Sequence, residues 1–237
     1  MFAADSRPTA AALRALADST NAFSVSLDPA GEVEGEGANW LELLVSGLTF
    51  DVSGLMPGPA AGPPPRKHVY GLPRVSELRG LEAVIIRPGP HLAGGSTMPP
   101  VLRMLAWLTA QLCALPDLRA VVWHPASCWS APAVFQAGVT HWIEGGPFPT
   151  FSLAGLAVTP DEALQSEGVG LFTGQELRIE PELAMDRPEA AKIAVRLIHW
   201  LVESGPLKEA QNVEGPGGAC WRVEPSADGR LVRVRTN

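Results

Sequence analysis

Two apolar runs bracket an apolar helix in the middle of the chain, and that succession narrows the choice of folds more than any other feature. Residues 81–86 are almost continuously apolar, as in a strand buried on both faces. The loop Pro88-Gly89-Pro90-His91-Leu92-Ala93-Gly94-Gly95-Ser96-Thr97 follows, then an apolar helix from about Pro99, then a second apolar strand at 118–123. Strand, helix and strand of these lengths fit a parallel βαβ crossover with both strands interior to the sheet. A further helix is expected at 131–144, with Ser130 as its N-cap and Gly145-Gly146 at its end.

The flanks read differently. Residues 9–18 show the spacing of a short amphipathic helix, and Phe23, Val25 and Leu27 alternate as in a half-buried strand. An acidic, glycine-rich turn at 31–37 precedes two strands at 40–45 and 48–52, separated near Gly47. Residues 56–65 hold five prolines and two glycines and read as a stiff exposed loop. Downstream, 150–158, 168–172 and 176–179 read as three turn-linked antiparallel strands. Asp186 and Glu189 form a capping box for a long helix that Gly205-Pro206 ends. A hairpin at 219–223 and 231–234 turns around Asp228-Gly229. The sum is an α+β protein: a mixed sheet with a central βαβ crossover, helices packed on the sheet and a C-terminal antiparallel portion. Residues 1–237 are expected to form a single domain, because the segment before the proline loop lacks the apolar mass to fold alone. The loop at 56–65 is the only candidate internal boundary.

Composition limits the function classes. The chain is 46% hydrophobic and 18% charged, enough to bury a core without disulfides or metals. Its net charge is −7, and no concentrated basic surface runs along it, which argues against nucleic acid as a partner. Arg230, Arg233 and Arg235 decorate a terminal strand. The most apolar helical stretch, 101–115, carries Arg103 and Gln111 and is too short to span a bilayer, so no membrane partner is expected. Cys113, Cys128 and Cys220 lack a short paired spacing, and the N-terminus has no basic region followed by an apolar core. Both point to reduced thiols and a cytoplasmic location. Arginine outnumbers lysine fifteen to three, a bias of GC-rich bacterial genomes.

The segment Gly170-Leu171-Phe172-Thr173-Gly174-Gln175-Glu176-Leu177-Arg178-Ile179 resembles the signature of an uncharacterised bacterial family, a domain of unknown function. The order of features around it is similar too: an apolar strand ending near Trp123-His124, a helix closing with Trp142-Ile143, a helix after the signature, and an acidic-glycine turn like Glu214-Gly215. The resemblance spans about 81–234 and implies an α+β fold, with no activity, cofactor or catalytic residue to carry over. Read from its residues, the signature is two strands meeting at a tight turn. Gly174 then supplies a positive φ, Phe172 packs under the sheet, and Glu176 is exposed or pairs locally.

Candidate chemistry is sparse. Cys128 follows a strand and precedes a helix, with His124 four residues before it. A helix dipole and a nearby imidazole favour a thiolate, the basis of a Cys/His-dependent hydrolase or transferase. The residues read equally as a packed helix entrance with a structural thiol. His91 with Gly94, Gly95, Ser96 and Thr97 offers backbone N–H groups to a small anionic ligand, though helix capping by Ser96 or Thr97 explains the same residues. His141 and Glu144 share a helix face and with His124 make a candidate metal set. No dense ligand motif supports it, so neither a metal nor any other cofactor is expected. His68 is expected to be exposed, and His199 to lie on a solvated helix face where Glu203 pairs with it. The reading is a non-catalytic module that binds a protein partner or self-associates.

Overall fold

A computed structural model of the chain describes residues 1–29, 39–72 and 78–236. The acidic turn at 31–37 lies outside the described residues. The chain makes two compact units, one of Met1–Pro65, Val69–Val122 and Trp129–Gly146, the other of Arg66–His68, Trp123–Cys128 and Pro147–Asn237. Pro65, the last residue of the proline-rich loop, is where the chain first leaves the first unit.

In the first unit, helix α1 (Ala10–Thr20) starts at Thr9, whose hydroxyl accepts a hydrogen bond from the Ala12 N–H, and buries Leu13 and Ala17. Strands β1 (Ser24–Leu27), β2 (Trp40–Val45) and β3 (Leu48–Ser53) follow. Ser46 and Gly47 both take positive φ between β2 and β3, the twist a two-residue hairpin requires. After β4 (His68–Tyr70), β5 (Ile85–Pro88) joins these strands in a four-stranded sheet of order β1-β2-β3-β5. Leu41, Leu43, Val45, Phe50 and Val52 line its buried face. Helix α2 (Pro99–Gln111) adds Val101 and Leu108 to the same core. A short sheet of order β4-β7-β6 contains β6 (Val121–Trp123) and β7 (Cys128–Ser130), and α3 (Pro132–Ile143) packs against α2. There the Arg103 guanidinium lies 4.6 Å from the Trp142 ring centre and donates to the carbonyls of Trp142 and Ile143, the free acceptors of a helix end. The proline loop forms no helix or strand, yet it is clamped. Buried Arg7 donates to the carbonyls of Gly54, Gly58 and Pro59 and pairs with Glu82 at 2.8 Å.

The α+β class and the mixed sheet hold, but the expected βαβ crossover does not form. β5 pairs antiparallel with β3, and β6 lies in a different sheet. Phe2 makes antiparallel bridges to both Glu82 and Leu118, so it occupies the place where the two apolar runs were expected to meet. Periodicity marks a strand as buried without saying which strand covers it. The capping assignments also change. Ser130 ends β7, and α3 begins on Ala131 and Pro132. α2 begins on Met98, with proline early in its first turn and no side-chain cap.

The second unit runs α4 (Thr150–Leu153), β8 (Gly155–Val158), β9 (Leu164–Glu167), α5 (Gly170–Thr173), β10 (Glu176–Ile179), α6 (Pro181–Ala184), α7 (Arg187–Ser204), β11 (Gln211–Glu214), β12 (Cys220–Pro225) and β13 (Leu231–Thr236). Its sheet has the order β11-β12-β13-β10-β9-β8, with β10 and β13 parallel and the other pairs antiparallel. The capping box holds, with the Asp186 carboxylate accepting from the Glu189 N–H at 3.1 Å, and so does the hairpin around Asp228-Gly229. Two expected strands are corrected: 150–153 and 170–173 are single helical turns. α7 packs on β9 and β10, while Leu177, Ile179, Val223, Val232 and Val234 are buried. On the other face, Arg178 pairs with Asp161 and Glu180, Arg233 with Glu180, and Glu224 with both Arg222 and Arg235. Among the described residues no helix is long and apolar enough to cross a membrane.

One row of the first sheet carries a testable strain. Asp51 stands opposite Glu42 on β2 and opposite Arg87 on β5, and Ser26 donates to Glu42 at 2.7 Å. Like charges directly opposite are unfavourable, and Asp51 Oδ1 is buried with no hydrogen-bond partner among the described residues. Burial pushes the Asp51 carboxyl above its ordinary value of 3.8, Glu42 pushes it further, and Arg87 and His91 oppose both. A raised folded-state pKa means that the folded protein holds this proton more tightly than the unfolded chain. The stability Asp51 confers is therefore greatest in acid and is lost as pH rises through its folded value. Asp51→Asn is expected to raise Tm at pH 7 and to flatten the pH dependence of Tm above pH 4, as thermal unfolding across pH would show. An unchanged or lowered Tm at pH 7 contradicts this.

Candidate functional site

The second unit encloses a polar cleft of about 250 Å³, lined chiefly by Lys67, Ser127, Gln165, Ser166, Glu167 and Glu176. Its floor is built by the signature segment. β9 ends at Glu167, Gly168 turns the chain at φ +95, α5 makes one turn, and Gly174 closes it at φ +79. The Glu176 carboxylate then folds back. Oε1 accepts from the N–H groups of Gly168 (2.8 Å) and Gly170 (2.9 Å), and Oε2 accepts from the Val169 N–H (3.2 Å) and the Ser166 hydroxyl (2.5 Å). Ser166 Oγ in turn accepts from the Leu177 N–H at 2.7 Å. The expected pair of strands is thereby corrected, whereas Glu176 pairs locally, one of the two outcomes expected for it. A half-buried carboxylate that takes three successive N–H groups stabilises a helical turn, where an extended strand would spread those donors apart. The positive φ at Gly174 holds. Gln175 is also bound inward, donating to the carbonyls of Leu207 and Gly229 and accepting from the Leu207 N–H. Phe172 packs on Trp123 and edge-on to Phe148.

One wall comes from 66–68. Glu167 Oε2 lies 2.7 Å from His68 Nε2, and Oε1 accepts from Lys67 at 3.2 Å. Burial works to raise the Glu167 carboxyl, but the hydrogen bonds from His68 and Lys67 outweigh it and hold the group below its usual range. His68, expected at the surface, is buried. Its ring sits on Gly155, where an added Cβ would come within 2.1 Å of a ring carbon. The other wall is the turn His124–Ala126 with Ser127, whose carbonyl accepts from the N–H groups of Lys67 and His68. Nothing in the sequence near His68 announces a partner 99 positions away. The only available signal was a glycine at the start of β8, small enough to seat a ring.

The residues singled out from sequence as catalytic, anion-binding or metal-binding are not among those that line the cleft. Cys128 is fully buried at the start of β7, and its thiol donates to the Phe151 carbonyl at 3.7 Å. α3 begins only at Pro132, so Cys128 is not at a helix N-terminus. His124 is exposed. His91, Gly94 and Thr97 are exposed, Gly95 and Ser96 half-buried, and Ser96 donates to the Ala93 carbonyl within a 3₁₀ segment, Pro90–Gly95. His141 and Glu144 are exposed, and among the described residues no three His, Cys, Asp or Glu side chains gather to hold a metal ion. His199 is half-buried, and its Nδ1 accepts from the Phe148 N–H at 3.3 Å, which corrects the expected pairing with Glu203 on a solvated face. Burial pushes the Cys113 thiol up to about 12, and of the three cysteines Cys220 is the exposed one. Iodoacetamide at pH 8 is accordingly expected to label Cys220 in the folded protein, with Cys113 and Cys128 reacting only on unfolding. Peptide mapping that finds Cys128 labelled early contradicts this.

Comparisons with models of known protein families, with curated proteins and with solved structures find no match.

Proposed function

We propose that this chain is a non-catalytic protein-binding module that takes an extended segment of its partner along β8. The observation that carries this is the contrast between the two edges of the second unit's sheet. β11 is Gln-Asn-Val-Glu, polar and largely exposed, the kind of edge that resists pairing. β8 is Gly-Leu-Ala-Val, without charge or proline, and Val158 is 52% exposed. Among the described residues its only strand neighbour is β9. An apolar edge strand with a neighbour on one side only offers its outer main-chain N–H and C=O groups to an incoming strand. The cleft beside it supports binding over catalysis. Its carboxylates are engaged by Lys67, His68, Ser166 and backbone N–H groups, and the buried thiol of Cys128 is not among its lining residues. The resemblance of 170–179 to a family signature belongs to the same reading, as a way of folding the cleft floor. A reducing, cytoplasmic setting agrees with three cysteines of which none is in a disulfide.

Val158→Lys places a charge where protected edges carry one. Affinity capture from cell extract and sedimentation velocity, on wild type and variant, test the reading. The expected result is a partner or a self-associated species that the variant loses at unchanged Tm. The same captured proteins and the same sedimentation for both would overturn it.

A further inference from the structure

Resting on the strand-addition reading, we infer that the segment taken at β8 carries a basic side chain, which reaches over Ala157 into the cleft and is held by Gln165 and Glu167. Register sets the geometry. Ala157 stands opposite Gln165 and Gly155 opposite Glu167, and residues directly opposite in an antiparallel pair project on one face. The edge strand therefore puts only a methyl group and a hydrogen between the sheet edge and the cleft. The His68 ring covers Gly155, so the open way in passes over Ala157. An added strand lies two strand spacings from β9, about 10 Å, and only a long side chain spans that gap.

The chemistry at the end of the path selects a cation. Gln165 and Ser127 both line the cleft, and neither side chain hydrogen-bonds to another described residue, so an amide oxygen and a hydroxyl oxygen are open as acceptors. The lining charges are Glu167 and Glu176 against Lys67, and Arg178, opposite Gln165 on β10, is already paired with Asp161 and Glu180, so the excess charge of the lining is negative. Glu176 is saturated by its four donors, whereas Glu167 remains about one-third exposed. An ammonium or guanidinium meets Gln165, Ser127 and the open side of Glu167, while a carboxylate there would face Glu167 with Lys67 already paired.

The test is fluorescence anisotropy with dye-labelled peptides of the pattern Thr-Val-Xaa-Val-Thr, where Xaa is Lys, Arg, Gln or Glu, at low ionic strength. Wild type, Gln165→Glu, Gln165→Lys and Val158→Lys are compared; the Gln165 changes break no side-chain hydrogen bond among the described residues. The Lys and Arg peptides are expected to bind about tenfold or more tighter than the Glu peptide. Gln165→Glu should widen that ratio and Gln165→Lys abolish it. Peptides that bind, lose binding in Val158→Lys, yet show no preference for Lys and Arg would overturn the basic-side-chain inference and leave strand addition standing. No binding by any peptide would overturn both.

Discussion

Glu176→Ala is expected to destabilise the protein by about 3 kcal/mol, since hydrogen bonds to a charged group contribute about 1.5–3 kcal/mol each and water entering the open cleft replaces part of what is lost. The substitution strands three N–H groups at the start of α5 and the Ser166 hydroxyl at once. These donors hold the turn that Phe172 uses to reach Trp123 and Phe148, so the loss also loosens packing. Glu176→Gln keeps one acceptor oxygen and turns an NH₂ toward the remaining donors, and it should fall between wild type and Ala. Urea unfolding followed by tryptophan fluorescence measures all three. A Glu176→Ala cost under about 0.5 kcal/mol, the range of an ordinary surface change, would show that the carboxylate merely decorates the turn.

The same residue shows how far the sequence could be read. Glu176, Leu177 and Ile179 alternate correctly for β10, and Gly174 is correctly placed at positive φ. The direction in which Glu176 points was not legible, because it depends on donors 6 to 8 residues upstream that present themselves only once α5 has formed. Long-range pairing was hidden in the same way. The apolar runs at 81–86 and 118–123 look like a matched pair in sequence, and Phe2 stands between them. Elements governed by local chemistry hold: the amphipathic helix α1, the Asp186 cap of α7, the β2–β3 turn and the β12–β13 hairpin. The cleft required three distant segments, 66–68, 123–128 and 165–176, and nothing in their sequences announces that they meet. Cys128 and His91 stand out by residue type alone, and burial takes the thiol out of reach.

Gly168→Ala should cost about as much as Glu176→Ala, about 3 kcal/mol, through two additive causes. Gly168 sits at φ +95, a conformation that costs a residue with a side chain about 1–3 kcal/mol. An added Cβ would also lie 2.7 Å from the Ala126 Cβ and 3.2 Å from its Cα, and overpacking of this kind costs about 1–3 kcal/mol. Ala126 is buried in the turn that forms the opposite wall, so relief requires that turn to move away from β9. Gly174→Ala is the control. It has a similar φ of +79 but nothing within 4 Å of the added carbon, so it should cost only the conformational term, about 1 kcal/mol. The difference between the two substitutions isolates the steric contact between the signature segment and the 123–128 turn. In ¹H–¹⁵N spectra, Gly168→Ala should shift the amides of Lys67 and His68, whose N–H groups bond the Ser127 carbonyl, and Gly174→Ala should leave them in place. Equal costs for the two variants, with the Lys67 and His68 amides unmoved in both, would mean that the two walls of the cleft do not meet at Gly168.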